Sequence, residues 1–198
     1  MSKSKISNKT NRPTCFIVSS PSGAGKTTVV MRALARLPYV AKTISHTTRT
    51  PRPGEKDGVD YFFVNKETFE RGIVNHEFAE YALVYDQLYG TSKKTVQSIL
   101  DQGKDAILVI ENQGAKEVVK AFDPVVLILI VPPSMEVLAK RLANRPNAST
   151  DDVQDRLSKA EREIKDMQWY DHTIINDNID TAVDALVDLI TTYQRGKV

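Results

Sequence analysis

TCFIVSSPSGAGKTTVVMRALARL, residues 14–37, changes its texture twice within 24 positions. Thr14 to Ser19 is a short apolar run rich in β-branched residues, which suits a buried strand. The stretch SPSGAGKTT then interrupts it with two glycines and a proline. Beyond it Val29, Val30, Ala33, Leu34 and Leu37 recur at helical spacing. The segment therefore predicts strand, tight loop and helix in direct succession.

The same unit returns along the chain. Asp105 opens AILVI, which breaks at Asn112 to Gly114 and resumes as a helical pattern through Ala115, Val118, Val119 and Phe122. VVLILIV, Val125 to Val131, stops at Pro132-Pro133 and gives way to a helix from Ser134 to about Asn144. HTIIN, His172 to Asn176, precedes an amphipathic helix carrying Ala182, Ala185, Leu186, Leu189 and Ile190. Continuous apolar runs alternating with helices are strands buried on both faces, so the fold class is α/β, a parallel sheet with helices on both sides.

Two regions depart from that rhythm. Residues 40–92 hold shorter pieces, Thr43 to Thr47, Tyr61 to Val64 and Phe78 to Val84, with prolines and glycines between Pro51 and Gly58, and read as a small strand-rich insertion. Thr150 to Met167 is thick with Asp, Arg, Glu and Lys and predicts a solvated helix or a mobile cover over 145–167. The remaining stretches, 14–39, 93–144 and 168–198, make up the core of a single domain.

With 41% hydrophobic and 26% charged residues the chain has the composition of a soluble globular protein. The net charge of +2 is unevenly placed, because Lys3, Lys5, Lys9 and Arg12 precede Thr14 with no acid among them. Residues 1–13 read as a disordered basic tail, and the rest carries 23 basic against 25 acidic residues, which is no polyanion binder; no nucleic-acid partner is expected. A single cysteine, Cys15, excludes an intrachain disulfide framework, and His46, His76 and His172 are too scattered for a metal site. No run reaches the roughly 18 apolar residues of a membrane span, so the expected location is the cytoplasm, with the chain a monomer or a homo-oligomer.

Ser22-Gly23-Ala24-Gly25-Lys26-Thr27 matches the core of a phosphate-binding loop and lies between a buried strand and a helix, where its mechanism needs it. Glycines let the backbone turn its N–H groups toward phosphate oxygens, and the helix N-terminus adds partial positive charge. In this arrangement Lys26 bridges the β- and γ-phosphates of ATP and the Thr27 hydroxyl holds Mg²⁺, with Thr28 continuing the cradle. The strict pattern opens on glycine, where this chain has Ser20. The loop points to ATP and Mg²⁺ and leaves the acceptor open.

The acceptor is addressed by SHTTRTPRPGEKDGVDYFFV, Ser45 to Val64. Arg49 and Arg52 flank Pro51, and paired guanidinium groups suit a phosphate. From Phe16 to about Ile190 the chain resembles guanylate kinases, phosphate-loop enzymes that move the γ-phosphoryl group of ATP to GMP and dGMP; TTRTPRPGE followed by DYFFV carries the likeness. The resemblance implies that Arg49, Arg52, Tyr61 and Tyr89 hold the GMP phosphate, that Ser45, Glu80 and Thr91 read the guanine ring, and that Asn176 contacts the adenine of ATP. The chemistry agrees, since a carboxylate such as Glu80 can accept from guanine N1–H and N2–H together, whereas adenine presents an acceptor at N1.

The family usually has two aspartates where this chain has Val109 and Glu111. Glu111 keeps a carboxylate that can contact the guanine amino group or magnesium-bound water; Val109 cannot. KRLANRPNASTDDVQDRL resembles the family's lid, which implies that Arg141, Arg145 and Arg156 join Lys26 and Arg49 in stabilising charge on the migrating phosphoryl group. Two other readings share the outline: a non-catalytic binding module of the same fold, disfavoured by the intact loop, and a kinase for another small phosphorylated acceptor.

Overall fold

The computed structural model describes residues 12–84, 86–144 and 150–196. Residues 1–11, most of the expected basic tail, and Arg145 of the expected lid lie outside them.

Five parallel strands form the larger sheet: β1 (Cys15–Ser19), β2 (Val40–Lys42), β7 (Asp105–Val109), β8 (Val125–Val131) and β9 (His172–Ile175), in the order β2-β7-β1-β8-β9. β1 is central, with Cys15 opposite Ala106 on one side and Val125 on the other. Its alternate residues serve two separate cores. Phe16 and Val18 join Ile107, Ile128 and Ile130 beneath α1 (Lys26–Leu34) and α7 (Ile179–Arg195). Cys15 and Ile17 join Leu108, Leu127 and Leu129 beneath α3 (Lys93–Asp101) and α4 (Asn112–Ala121). Every residue of β1 is buried, as a strand covered on both faces must be.

The smaller sheet is mixed: β3 (His46–Thr47) pairs in parallel with β4 (Phe62–Phe63) and antiparallel with β6 (Gln87–Ser92), which pairs antiparallel with β5 (Phe78–Val84). The first residues of the predicted 40–92 insertion behave differently, since β2 pairs with β7 in the large sheet. A helix not read from the sequence, α2 (Lys66–Val74), also lies within it. Only Phe69 and Gly72 of α2 are buried, so it lacks an apolar stripe; its signal is the Asn65 cap, whose side chain accepts from the Thr68 N–H.

The charged stretch after residue 149 is α6 (Thr150–Asp166), close to its predicted span. It packs on α5 (Met135–Ala143) through Leu138, Leu142 and Ala160, with Val153 and Leu157 at the margin. No helix among the described residues is long and apolar enough to cross a membrane. Because the strands of the large sheet are parallel, Ser19, Val109, Val131 and Ile175 all end at one edge, the edge at which open α/β sheets present their ligand sites.

Truncating Ile128, which is fully buried at the centre of β8, removes contacts on the α1/α7 side of the sheet. Ile128→Ala is expected to lower unfolding free energy by about 2–5 kcal/mol, read as a lower urea midpoint with an unchanged denaturant slope.

Candidate active site

Ser20 and Pro21 carry the chain out of β1, and Gly23 and Gly25 turn it with φ of 92° and 88°. Those angles favour glycine, and space reinforces the choice. A Cβ on Gly25 would lie 2.5 Å from the Asn176 amide nitrogen, and one on Gly23 would lie 2.9 Å from Leu142. Gly25 caps α1 without a side-chain bond, and no acidic residue occupies the first turn. The N–H groups of that turn, with exposed Thr27 and Thr28 beside them, form a positive, anion-accepting end. Ser20 in place of the motif's first glycine is buried, its hydroxyl donating to the Pro21 carbonyl.

Lys26 lies over the end of β7. Its Nζ is 3.5 Å from the Ile110 carbonyl oxygen and 3.6 Å from a carboxylate oxygen of Glu111. Val109, two residues before Glu111, is partly buried and packs against the α1/α7 core, as a residue without a polar group should. Asn176, just beyond β9, is buried and donates to the Ala24 carbonyl at 2.7 Å. Arg141 of α5 donates to the Asn176 and Asp177 carbonyls at 2.9 and 3.2 Å, so it lies at the Asn176 side of the loop. Arg156 of α6 forks onto Asp152, with 2.9 Å to each carboxylate oxygen.

The second cluster stands on the small sheet. Arg49 donates to Glu55 at 2.8 Å and to the Tyr89 hydroxyl at 3.2 Å, while its guanidinium carbon lies 5.5 Å from the Tyr61 ring centre. The bond to Glu55 chiefly raises the Arg49 pKa, and Arg49 in turn holds the Glu55 carboxyl below the usual range. Glu55 also accepts from the Arg52 N–H at 2.7 Å, so one carboxylate fixes the turn that carries both arginines. Tyr61 and Tyr89 meet edge to face at 5.9 Å. Arg49 and the two phenols thereby share one surface, with the Arg52 charge near enough to act on Tyr61, a set of donors matched to a phosphate.

Glu80 lies deeper. Cross-strand register puts it opposite Thr91, whose hydroxyl is 3.1 Å from that of Ser45. An irregularity between Phe78 and Glu80 breaks the alternation of β5, and Ala79 and Glu80 are both buried. Burial pushes the Glu80 carboxyl above the ordinary carboxylate range, the Thr91 hydroxyl and N–H pull it back, and the Glu111 charge adds to the push. Neighbouring His46 packs its ring on Phe62 at 4.8 Å and leaves Nδ1 buried without a hydrogen-bond partner among the described residues; burial lowers its pKa against the pull of Glu77 and Asp57.

The family model of guanylate kinase matches residues 12–193 of this chain. The chain is a member of the guanylate kinase family. It is 46% identical to the guanylate kinase of Chromohalobacter salexigens over 91% of its length and 84% of that protein's. It is 40% identical to that of Coxiella burnetii over 91% and 88%. The crystal structure of guanylate kinase from Anaplasma phagocytophilum superposes with a TM-score of 0.74 at 33% identity, covering 93% of this chain and 88% of that one.

Within this guanylate kinase fold, several residues of the site have no motif of their own. Gly114 belongs to α4, which starts at Asn112 where the sequence predicts a break; a Cβ there would stand 2.7 Å from a carboxylate oxygen of Glu80. The glycine is what admits the acid between sheet and helix. Glu163 of α6, half-buried, is pushed above the ordinary range by burial and by Glu111, while Lys159 and Lys26 oppose the shift, which places it in the field of the loop lysine. Glu55 could have been suspected from its place in PRPGE; the carboxylate on α6 gave no sequence signal.

A raised Glu80 pKa means that the ionised form is the less stable one in the fold, so this group favours folding more as pH falls through the folded pKa toward the unfolded value. Glu80→Gln is therefore expected to raise the urea midpoint at pH 7.5, with a gain that shrinks as the pH is lowered toward 4.5. A midpoint below that of the parent at pH 7.5 would contradict the desolvation account.

Proposed function

We propose that this chain transfers the γ-phosphoryl group of ATP to GMP, giving ADP and GDP, and that the named clusters divide the work between two nucleotides. The observation that carries the reading is the buried Glu80 carboxylate beside the Ser45 and Thr91 hydroxyls, on the sheet that holds Arg49, Tyr61 and Tyr89. A carboxylate placed there at the cost of desolvation gains two donors when guanine presents N1–H and N2–H, and Ser45 and Thr91 supply donors for O6. Adenine, with an acceptor at N1, would leave that buried charge uncompensated, which is the stronger source of discrimination.

On the donor side, the first turn of α1 with Lys26 receives the phosphates of ATP, and Asn176 faces the base. Thr27 would hold Mg²⁺ together with ATP oxygens and water; the hard oxygen donors of Thr27 and Glu111 suit that ion, which supplies charge neutralisation on the β- and γ-phosphates. The attacking group is a GMP phosphate oxygen, which forms its bond to the γ-phosphorus as the bond to the ADP oxygen breaks. The protein therefore provides no nucleophile and acts by positioning and charge. When ATP draws Lys26 from Glu111, that carboxylate becomes available to the guanine amino group or to magnesium-bound water. Arg49, Arg141, Arg145 and Arg156 meet the charge developing on the migrating group, Arg141 from α5 and the last two from the cover, residues 145–167, which closes with the acceptor sheet over both nucleotides.

ADP formation from ATP and Mg²⁺ should be fast with GMP and slight with AMP or with no acceptor. Lys26→Ala should abolish it, and Glu80→Gln should raise the KM for GMP more than tenfold while leaving that for ATP unchanged, the expected cost of losing a charged hydrogen-bond acceptor. Turnover with a phosphorylated sugar in place of GMP would sink the assignment in favour of another acceptor.

The closing of cover and acceptor sheet predicts that GMP with a non-hydrolysable ATP analogue reduces the radius of gyration in small-angle scattering. An unchanged radius with both ligands bound would argue that the cover is static.

A further inference from the structure

Helix α6 ends at Asp166, and the residues that follow it are bonded to both walls of the lysine site. Tyr170 is 9% exposed, and its hydroxyl donates to the Ser19 hydroxyl oxygen at 2.7 Å. Ser19, the last residue of β1, spends its own proton on the Ile110 carbonyl, also at 2.7 Å. Lys26 rests on that same carbonyl. Trp169, whose ring meets that of Tyr170 at 5.0 Å and 66°, donates from Nε1 to the Asn112 side chain at 3.2 Å. The Asn112 amide in turn donates to the Asp166 carbonyl at 3.5 Å, reaching the last residue of α6.

Glu111 thus sits between two anchored neighbours, Ile110 and Asn112, and both anchors come from the foot of the cover helix. The other end of the α5–α6 pair touches the phosphate loop as well, through Leu138 and Leu142 against Gly23. We infer that Trp169 and Tyr170 are positioning residues: they fix the foot of α6 to the segment 110–112 and to the entry of the phosphate loop, so that the placing of the cover is transmitted to Lys26 and Glu111. This rests on the kinase reading above.

A merely structural Tyr170 would need only its ring, which packs among Cys15, Ile17, Leu129 and Met167. The hydroxyl adds something separable. Burial pushes its pKa up to about 12 against the opposing bond to Ser19, so it remains a proton donor throughout the working range of pH. Phenylalanine keeps the packing and leaves Ser19 without its donor. At Trp169, phenylalanine keeps an aromatic face toward Tyr170 and removes the N–H.

The test compares the full chain with Tyr170→Phe, Trp169→Phe and the double variant by calorimetric binding of Mg-ATP and of GMP, by GMP-dependent ADP formation and by thermal melting. The double variant is expected to melt as a single cooperative transition, to lose about five- to tenfold in Mg-ATP affinity and in kcat, the scale of one or two net hydrogen bonds, and to bind GMP as the parent does. If the double variant does not fold, the single variants carry the same comparison. Mg-ATP affinity and kcat within twofold of the parent, or an equal loss of GMP affinity, would overturn the positioning role. A parent chain that binds Mg-ATP but forms no ADP with GMP would instead refute the kinase reading, and the Mg-ATP affinities would still decide the role of the two residues.

Discussion

The register of β1 against β7 and β8 is the constraint on which the nucleotide site depends. Pairing Val18 with Val109 brings the Ile110 carbonyl and the Glu111 carboxylate beside the loop that leaves β1. Pairing Ser19 with Leu129, and Ile130 with Ile174 in the next ladder, brings Asn176 to the loop's other side. A one-residue slip would exchange the two buried faces of β1, sending Phe16 and Val18 away from α1 and α7. Core packing and site geometry are therefore one specification, because the same ladder that fills two apolar layers aligns the strand ends that hold Lys26.

The acceptor sheet meets this frame where β5 approaches α4. Glu80 fits there because Gly114 has no side chain and because Thr91 offers both a hydroxyl and an N–H. The fit is not relaxed. Glu80 feels burial and the Glu111 charge together, and such groups are stabilised when a ligand brings the missing donors. In the proposed reading, stability given up in the ligand-free protein would become binding free energy for a base with the right pair of N–H groups.

On the phosphate side of the same sheet the economy is different. Glu55 holds Arg49 by its side chain and Arg52 by its backbone, and Tyr61 and Phe63 lie 5.5 and 5.8 Å from the Arg49 guanidinium. Charge, aromatic face and turn are fixed together, so the phosphate of the proposed acceptor would meet donors already in place. His46 shows what the sheet demands in exchange, with a ring nitrogen buried beside Phe62 and Phe78 and no hydrogen-bond partner for it among the described residues.

Much of this was legible in the sequence where a pattern is local. The apolar runs of β1, β7 and β8 state strands covered on both faces, because a strand's burial is written in consecutive residues. The loop from Ser22 to Thr28 states a phosphate cradle, because glycine is needed at two positive φ angles within three residues. TTRTPRPGE and the acids and hydroxyls around it state an acceptor through family likeness. Short α2 escaped, since two buried residues make no periodic stripe, and β2 sits in the larger sheet although its three residues open the predicted insertion. Contacts between distant segments were decided by tertiary structure alone: Gly114 against Glu80, the Tyr170–Ser19–Ile110 relay, Trp169 on Asn112, and Glu163 in the field of Lys26. Each joins residues 30 or more positions apart, and a sequence fixes which residues are available to meet, whereas strand register and helix packing fix which ones do.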